Sequence, residues 1–303
     1  GILEIAEDSS IHAVQSRRVD GQQKWVYDEV QKPCDWEVER GHGQQSPVRI
    51  DKAVPADKVE LEPLTIHYRA AVAKVKYKYP ALEFYPEKEG DWGHIEIGCE
   101  TWNLVKIHAH SKAEHSLYCH DGIAESKEKS EKQDSQDSED SEGCEETNHP
   151  LLPAEIHFVH TRADEEQDGF LVLGVFARDA LEGEQPVHLP FLDHLRQGHH
   201  ELTSDGMVLH AGIALCPGCL LPGKRDYFSY RGSLTTPPCS ENVDFLLFEQ
   251  PIPVRSNQLT EFDQLFPGGT NRRIQTSPSN LKVRKNARVS SLGSSSPYPS
   301  RHS

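Results

Sequence analysis

Four histidines punctuate two apolar runs of this chain: His108 and His110 in LVKIHAH, which begins at Leu104, and His157 and His160 in AEIHFVH, which begins at Ala154. Side chains two apart in an extended strand leave the same face. His108 and His110 therefore point together, with Ile107 and Ala109 turned the other way, and the pair forms the jaws of a metal pincer. A zinc site needs neutral imidazole nitrogens about 2 Å from the ion, and catalytic zinc sites use three protein ligands and keep a fourth position open. AEIHFVH offers a further imidazole on a second strand-like run. Its alternation sets Glu155, His157 and Val159 on one face, and Ile156, Phe158 and His160 on the other. His157 thereby gains a carboxylate neighbour of the kind that fixes the orientation of a metal-bound ring. With 17 histidines in the chain, a His-x-His pair alone does not specify a metal. The run YRGSLTTPPCSE, from Tyr230 to Glu241, is too particular to read as a mere turn, and it strengthens the case.

The elements that must position these side chains read as short strands. LTIHY, KVKY, HIEIG, LVKIHAH, AEIHFVH, FLVLGVFA and VDFLLFE are rich in β-branched and aromatic residues and bounded by Gly, Pro or Asp. Helical candidates are few and short: PFLDHLRQ and SNQLTEFDQLF. A mainly β architecture with short helices follows, and no internal repeat is evident. The composition, 36% hydrophobic and 26% charged, allows one globular domain with polar appendages. From Glu125 to Glu146 there are ten acids and no apolar residue but Cys144. Such a segment cannot repay its ordering entropy by burial, so 124–149 reads as a disordered acidic insertion. Residues 284–303 read as a basic, serine-rich flexible tail, and residues 1–22 as an N-terminal extension. The globular domain is then expected over 23–283. A net charge of -16 repels phosphate backbones and so excludes nucleic acid as a partner, while cations and basic surfaces stay compatible. No run reaches the roughly 20 apolar residues of a transmembrane helix. The chain begins at Gly1 rather than Met, and the expectation is of a leader already removed.

QQSPVRI (Gln44 to Ile50), IHAHSKAEHSL (Ile107 to Leu117), AEIHFVH, GFLVLGVF (Gly169 to Phe176) and SLTTPPCSE (Ser233 to Glu241), in this order and spacing, resemble the α-class carbonic anhydrases from about Lys24 to Lys282, apart from the acidic insertion. The resemblance implies a single domain around a large, twisted, mostly antiparallel sheet, with zinc at the floor of a conical cleft. It implies His108, His110 and His157 as zinc ligands and leaves His115 and His160 structural. It makes Glu155 the acceptor behind the third ligand. Thr235 becomes the residue whose hydroxyl donates to a buried Glu114 and so orients the attacking oxygen. Val159, Val172, Leu234, Thr235, Thr236 and Val243 become the pocket for carbon dioxide and bicarbonate. The reaction implied is reversible hydration of carbon dioxide by zinc-bound hydroxide, the work of a carbonate dehydratase. Neutral ligands leave zinc its full charge, and bound water then ionises near pH 7, an effect of which carbonic anhydrase is itself the standard example.

Three positions depart from the family pattern. Lys106 stands where most relatives have Gln, and a charged lysine cannot accept a hydrogen bond from His108. Phe245 replaces the usual Trp. Ala81 falls where many fast members carry a proton-shuttling histidine. Seven cysteines leave at least one free or paired between chains. Cys34 and Cys239 resemble the disulfide of secreted members, and an extracellular, periplasmic or cell-surface setting is expected. Cys216 and Cys219 in CPGC read as a local disulfide or as half of a structural metal site. A second reading is a matrix protein on the same scaffold, binding calcium or mineral through its acidic insertion. The intact set of His108, His110, His157, Glu114, Glu155 and Thr235 favours the enzyme.

Overall fold

The computed structural model describes residues 43–51, 64–78, 81–118, 151–164, 169–189, 192, 208–266, 268–275 and 284–286. Fourteen strands form among them: β1 (Arg49–Asp51), β2 (Leu64–Tyr68), β3 (Ala71–Lys78), β4 (Ala81–Pro86), β5 (Gly93–Ile97), β6 (Glu100–Ser111), β7 (Ser116–Tyr118), β8 (Ala154–Arg162), β9 (Phe170–Asp179), β10 (Val208–Leu215), β11 (Tyr227–Gly232), β12 (Val243–Phe248), β13 (Ile252–Val254) and β14 (Arg284–Asn286). The seven runs expected from sequence lie in β2, β3, β5, β6, β8, β9 and β12. SNQLTEFDQLF forms the helix α1 (Ser256–Leu265). The strands not anticipated are either three residues long or carry a Gly or Pro within them or at their end, which weakens the alternation that marks a strand.

Twelve strands join in one sheet, whose main path runs β10-β3-β4-β6-β8-β9-β12-β11-β14. Pairing is antiparallel except that β12 and β13 run parallel to β9. β1 and β7 form a separate parallel ribbon. The central strands are buried on both faces, which is why AEIHFVH mixes apolar and polar residues without a solvated side. On one face Ile107, Ala109, Ile156, Phe158, Leu173 and Val175 enter the larger core. The helix α1 covers that core with Leu259 and Phe262, each contributing roughly 1.5–3 kcal/mol by burial. On the other face Val159, Val172, Phe176, Val243, Phe245 and Leu247 form a second cluster. The histidines of interest share that second face.

The expected N-terminal extension, the acidic insertion and Cys34 lie outside the described residues, as does PFLDHLRQ apart from Leu192. The tail departs from expectation at its start: Arg284, Lys285 and Asn286 pair with Ser229, Phe228 and Tyr227 of β11, so these three residues are strand and not flexible chain. Cys239 is buried and free among the described residues, and its expected partner Cys34 lies outside them. Cys216 and Cys219 form a disulfide with each other, which settles CPGC as a local bridge. No described helix is long and apolar enough to cross a membrane.

Candidate metal centre

Two neighbouring strands suffice to assemble the ligand set. In the antiparallel register of β6 with β8, His108 stands across from His157, and His110 across from Glu155. Period-2 projection puts all four on one face. The three imidazoles make a near-equilateral triangle, with ring centroids 5.0 Å apart for His108 and His110, 5.2 Å for His108 and His157, and 4.9 Å for His110 and His157. One donor atom from each lies within 4.8 Å of the others.

The surrounding hydrogen bonds set which nitrogen of each ring faces inward. His110 donates Nδ1–H to the Thr270 carbonyl at 2.7 Å, so its buried Nε2 keeps a lone pair and no hydrogen-bond partner. His157 donates Nε2–H to Glu155 Oε1 at 2.8 Å, which leaves Nδ1 as its inward lone pair. Glu155 is fully buried and accepts four hydrogen bonds: from the ring of His115 and of His157 on Oε1, and from the backbone N–H groups of Glu114 and His115 on Oε2. Burial alone would raise its pKa, but the two imidazoles and their hydrogen bonds hold it well below the usual carboxylate range. An ionised Glu155 in turn keeps His157 raised, against the burial that would lower it, while burial lowers His110.

His115 extends the network outward, accepting the Tyr230 hydroxyl on Nε2. The Tyr230 oxygen is 2.9 Å from Ser46 Oγ, which also accepts the Ser233 backbone N–H. Phe245 fills the wedge, stacked on Tyr230 with centroids 5.1 Å apart and 6.0 Å from the His157 ring. His160 points to the opposite face as expected, with Nε2 on the Tyr68 hydroxyl and Nδ1–H on the Leu171 carbonyl.

One expected contact is not made. Thr235 is buried, but its hydroxyl does not reach Glu114. Glu114 Oε1 accepts the backbone N–H of Arg272 at 3.0 Å. Its Oε2 turns toward the ring nitrogens instead, 3.4 Å from His110 Nε2 and 3.9 Å from His157 Nδ1. That oxygen has no hydrogen-bond partner of its own, so the backbone N–H of Arg272, rather than the Thr235 hydroxyl, is what anchors the Glu114 carboxylate. Lys106 also has an unforeseen partner: Nζ lies 2.7 Å from Glu83 Oε1, and Glu83 stands across from His108 in the β4–β6 register. Glu83 carries the Tyr85 hydroxyl on its other oxygen. The lysine charge beside the triangle is thus neutralised by a carboxylate whose place on the neighbouring strand was not apparent in sequence.

Val159, Val172 and Val243 are buried in the second cluster, with Leu234 packed against it. Val159 and Val172 face each other across β8 and β9, and Val172 also pairs with Phe245. An apolar wall therefore flanks the imidazoles, with Thr235 and Thr236 following Leu234 in the chain. Gly174, which stands across from His157, was not singled out from sequence, although a glycine inside a strand signals close approach. A Cβ there would lie 2.4 Å from Leu247 Cδ2 and 3.0 Å from Glu155 Oε1. Gly174→Ala is expected to cost about 1–3 kcal/mol by overpacking and to weaken metal binding through Glu155. Urea unfolding with a chelator competition assay checks this, and Gly174→Ala/Leu247→Ala should be less destabilised than the sum of the single changes. Unchanged stability and affinity in Gly174→Ala would show the site to be more pliable than its packing implies.

The family model for eukaryotic-type carbonic anhydrase matches residues 134–291, just over half of the chain. The chain belongs to that family. The matched span contains Glu155, His157 and Thr235; His108 and His110 precede it and join it through the β6–β8 pairing, and Glu114 through its backbone N–H on Glu155. Carbonic anhydrase 3 of Equus caballus is 36% identical over 127 residues, covering 39% of this chain and 46% of that protein. The chain thus matches about half the length of such curated relatives. The α-carbonic anhydrase of Thermovibrio ammonificans, solved with the inhibitor sulfanilamide, shares 26% identity at a TM-score of 0.58, over 80% of this chain and 87% of that one. Carbonic anhydrase Cah3 of Chlamydomonas reinhardtii, solved with acetazolamide, shares the fold at 23% identity and a TM-score of 0.63, over 86% and 99% of the two chains.

Proposed function

We propose that this chain is a zinc-dependent carbonate dehydratase, interconverting carbon dioxide and bicarbonate. The observation that carries the reading is the triangle of imidazoles, with two of its inward lone pairs fixed by acceptors behind the rings. The donor set fits zinc: three neutral nitrogens suit that ion, and the buried, unpartnered Nε2 of His110 would be costly without a ligand for it to meet. His108, His110 and His157 would hold the ion. When bound, zinc supplies Lewis acidity that makes a hydroxide nucleophile available near neutral pH.

The chain's own residues do the rest. Glu155 and the Thr270 carbonyl hold the His157 and His110 rings in one tautomer and one orientation. Val159, Val172, Leu234 and Val243 offer apolar carbon dioxide a dry wall, and Thr235 and Thr236 supply a polar edge for bicarbonate. The catalytic domain spans about 23–283, interrupted in sequence by the acidic segment. The Cys216–Cys219 disulfide supports an oxidising, extracellular setting, because such bonds persist where thiols are not kept reduced.

Stopped-flow hydration of carbon dioxide, on protein of measured zinc content, tests the reading. Hydration should scale with zinc, and zinc-replete protein without hydration would overturn it. Proton export adds a finer expectation. Ala81 lies in β4 two residues before Glu83, and alanine cannot relay a proton at the position where histidine, with a pKa of about 6.5, serves relatives. Imidazole buffers should therefore raise kcat while barely changing kcat/KM, and Ala81→His should raise kcat in weak buffer. A high kcat indifferent to buffer concentration would show that another group carries the proton.

A further inference from the structure

A second group of metal-binding side chains meets on β2 and β5, sharing no residue with the imidazole triangle. His67 of β2 stands directly across from His94 of β5. Glu96 lies two residues along β5 from His94 and so shares its face. The two rings lie 4.8 Å apart, centre to centre, with planes tilted by 32°. Each ring presents Nε2 to a different oxygen of one carboxylate: His67 Nε2 is 3.4 Å from Glu96 Oε2, and His94 Nε2 is 3.5 Å from Glu96 Oε1.

Those separations are long for N–H···O hydrogen bonds, which cluster near 2.9–3.0 Å. They match the distance between two ligands of one tetrahedral ion, about 3.4 Å when each bond is about 2.0–2.1 Å. One donor atom from each of the three residues falls within 4.8 Å of the others. Side-chain exposures of 42% for His67, 34% for His94 and 48% for Glu96 leave the group open to a hydrated cation, and a net charge of -16 concentrates cations around the chain.

We propose that His67, His94 and Glu96 form a second, peripheral site for a transition-metal dication, with water completing its coordination. Two imidazoles and one carboxylate select zinc, copper or nickel over calcium and magnesium, which take oxygen ligands. β5 is the only partner of β2 among the described strands. An ion held between them clips this marginal strand to the sheet, and an ion that binds only the folded chain stabilises it by mass action.

Metal counting on the full chain tests the proposal. Zinc is titrated in competition with a chromogenic chelator, and the copper form is read by electron paramagnetic resonance. Wild type should take up one equivalent more than His67→Ala or His94→Ala, or bind that equivalent at least tenfold more tightly, and its copper signal should show two nitrogen donors that each variant reduces. Circular dichroism establishes that the variants fold, and Glu96→Gln should weaken the same equivalent. The equivalent removed by His110→Ala is counted separately, so failure at one centre is not confused with failure at the other. Equal stoichiometry and affinity in wild type and both histidine variants would overturn the second site.

Discussion

Replacing His110 by alanine is expected to remove the zinc of the three-imidazole centre and carbon dioxide hydration together. His110 is almost fully buried, and its inward nitrogen has no hydrogen-bond partner. Its loss leaves two nitrogen ligands, and also leaves the Thr270 carbonyl without the donor it meets at 2.7 Å. Loss of an outer partner alone weakens metal sites 10–100-fold, so loss of the ligand itself should weaken this one by more than about a hundredfold. Zinc content after dialysis and hydration by stopped flow measure the two losses, with near-ultraviolet circular dichroism to establish that the sheet persists. His157→Ala should behave in the same way. A folded His110→Ala protein that keeps its full zinc would sink the ligand assignment.

Acid should destabilise the fold through a different histidine. His160 is fully buried on the far face of β8, and burial pushes its pKa down from 6.5 to about 4. The unfolded chain therefore binds a proton between pH 6.5 and about 4 that the folded chain refuses. Because the folded pKa is the lower one, the stabilisation is fully present above pH 6.5 and is lost as pH falls to about 4. The shift corresponds to about 3 kcal/mol over that window. Glu155, also held low, adds loss in the same direction at more acid pH. His160→Gln retains a donor for the Leu171 carbonyl and an acceptor for the Tyr68 hydroxyl but cannot titrate. Urea unfolding at a series of pH values should show a steep acid limb in wild type and a flatter one in the variant. Parallel limbs would place the acid sensitivity elsewhere.

Much of this centre was legible because strands encode geometry simply. Two histidines two apart must share a face, and Glu155 and His157 repeat the rule on the next strand, so local alternation foretells which side chains meet once β6 and β8 pair. Resemblance, rather than alternation, chose the strand pairing. What stayed hidden depends on contacts with no local signature. Nothing near His110 announces that a carbonyl 160 residues later will fix its tautomer. Glu83 gives no sign of lying across from His108 and neutralising Lys106, because that needs the β4–β6 register. The Thr235–Glu114 contact was expected by analogy and is not made, because the backbone N–H of Arg272, 158 residues further on, holds Glu114 instead. The first residues of the basic tail were read as coil on composition alone, and tertiary pairing with β11 overrode that.

The same long-range bonds impose an order on the making of this protein. Ser46 meets Ser233 and Tyr230, and Arg272 donates to the Ser46 carbonyl 226 residues away. At ribosomal speeds of about 5–20 residues per second, the stretch between His110 and Thr270 takes on the order of ten seconds to emerge. During that interval His108 and His110 exist without the carbonyl that orients them, and half of a hydrophobic sheet awaits its later strands. A nascent chain in this state exposes unpaired strand edges and has no finished place for an ion. An ion that needs all three rings held in place would accordingly bind late in biosynthesis, once Thr270 has emerged to fix the His110 ring.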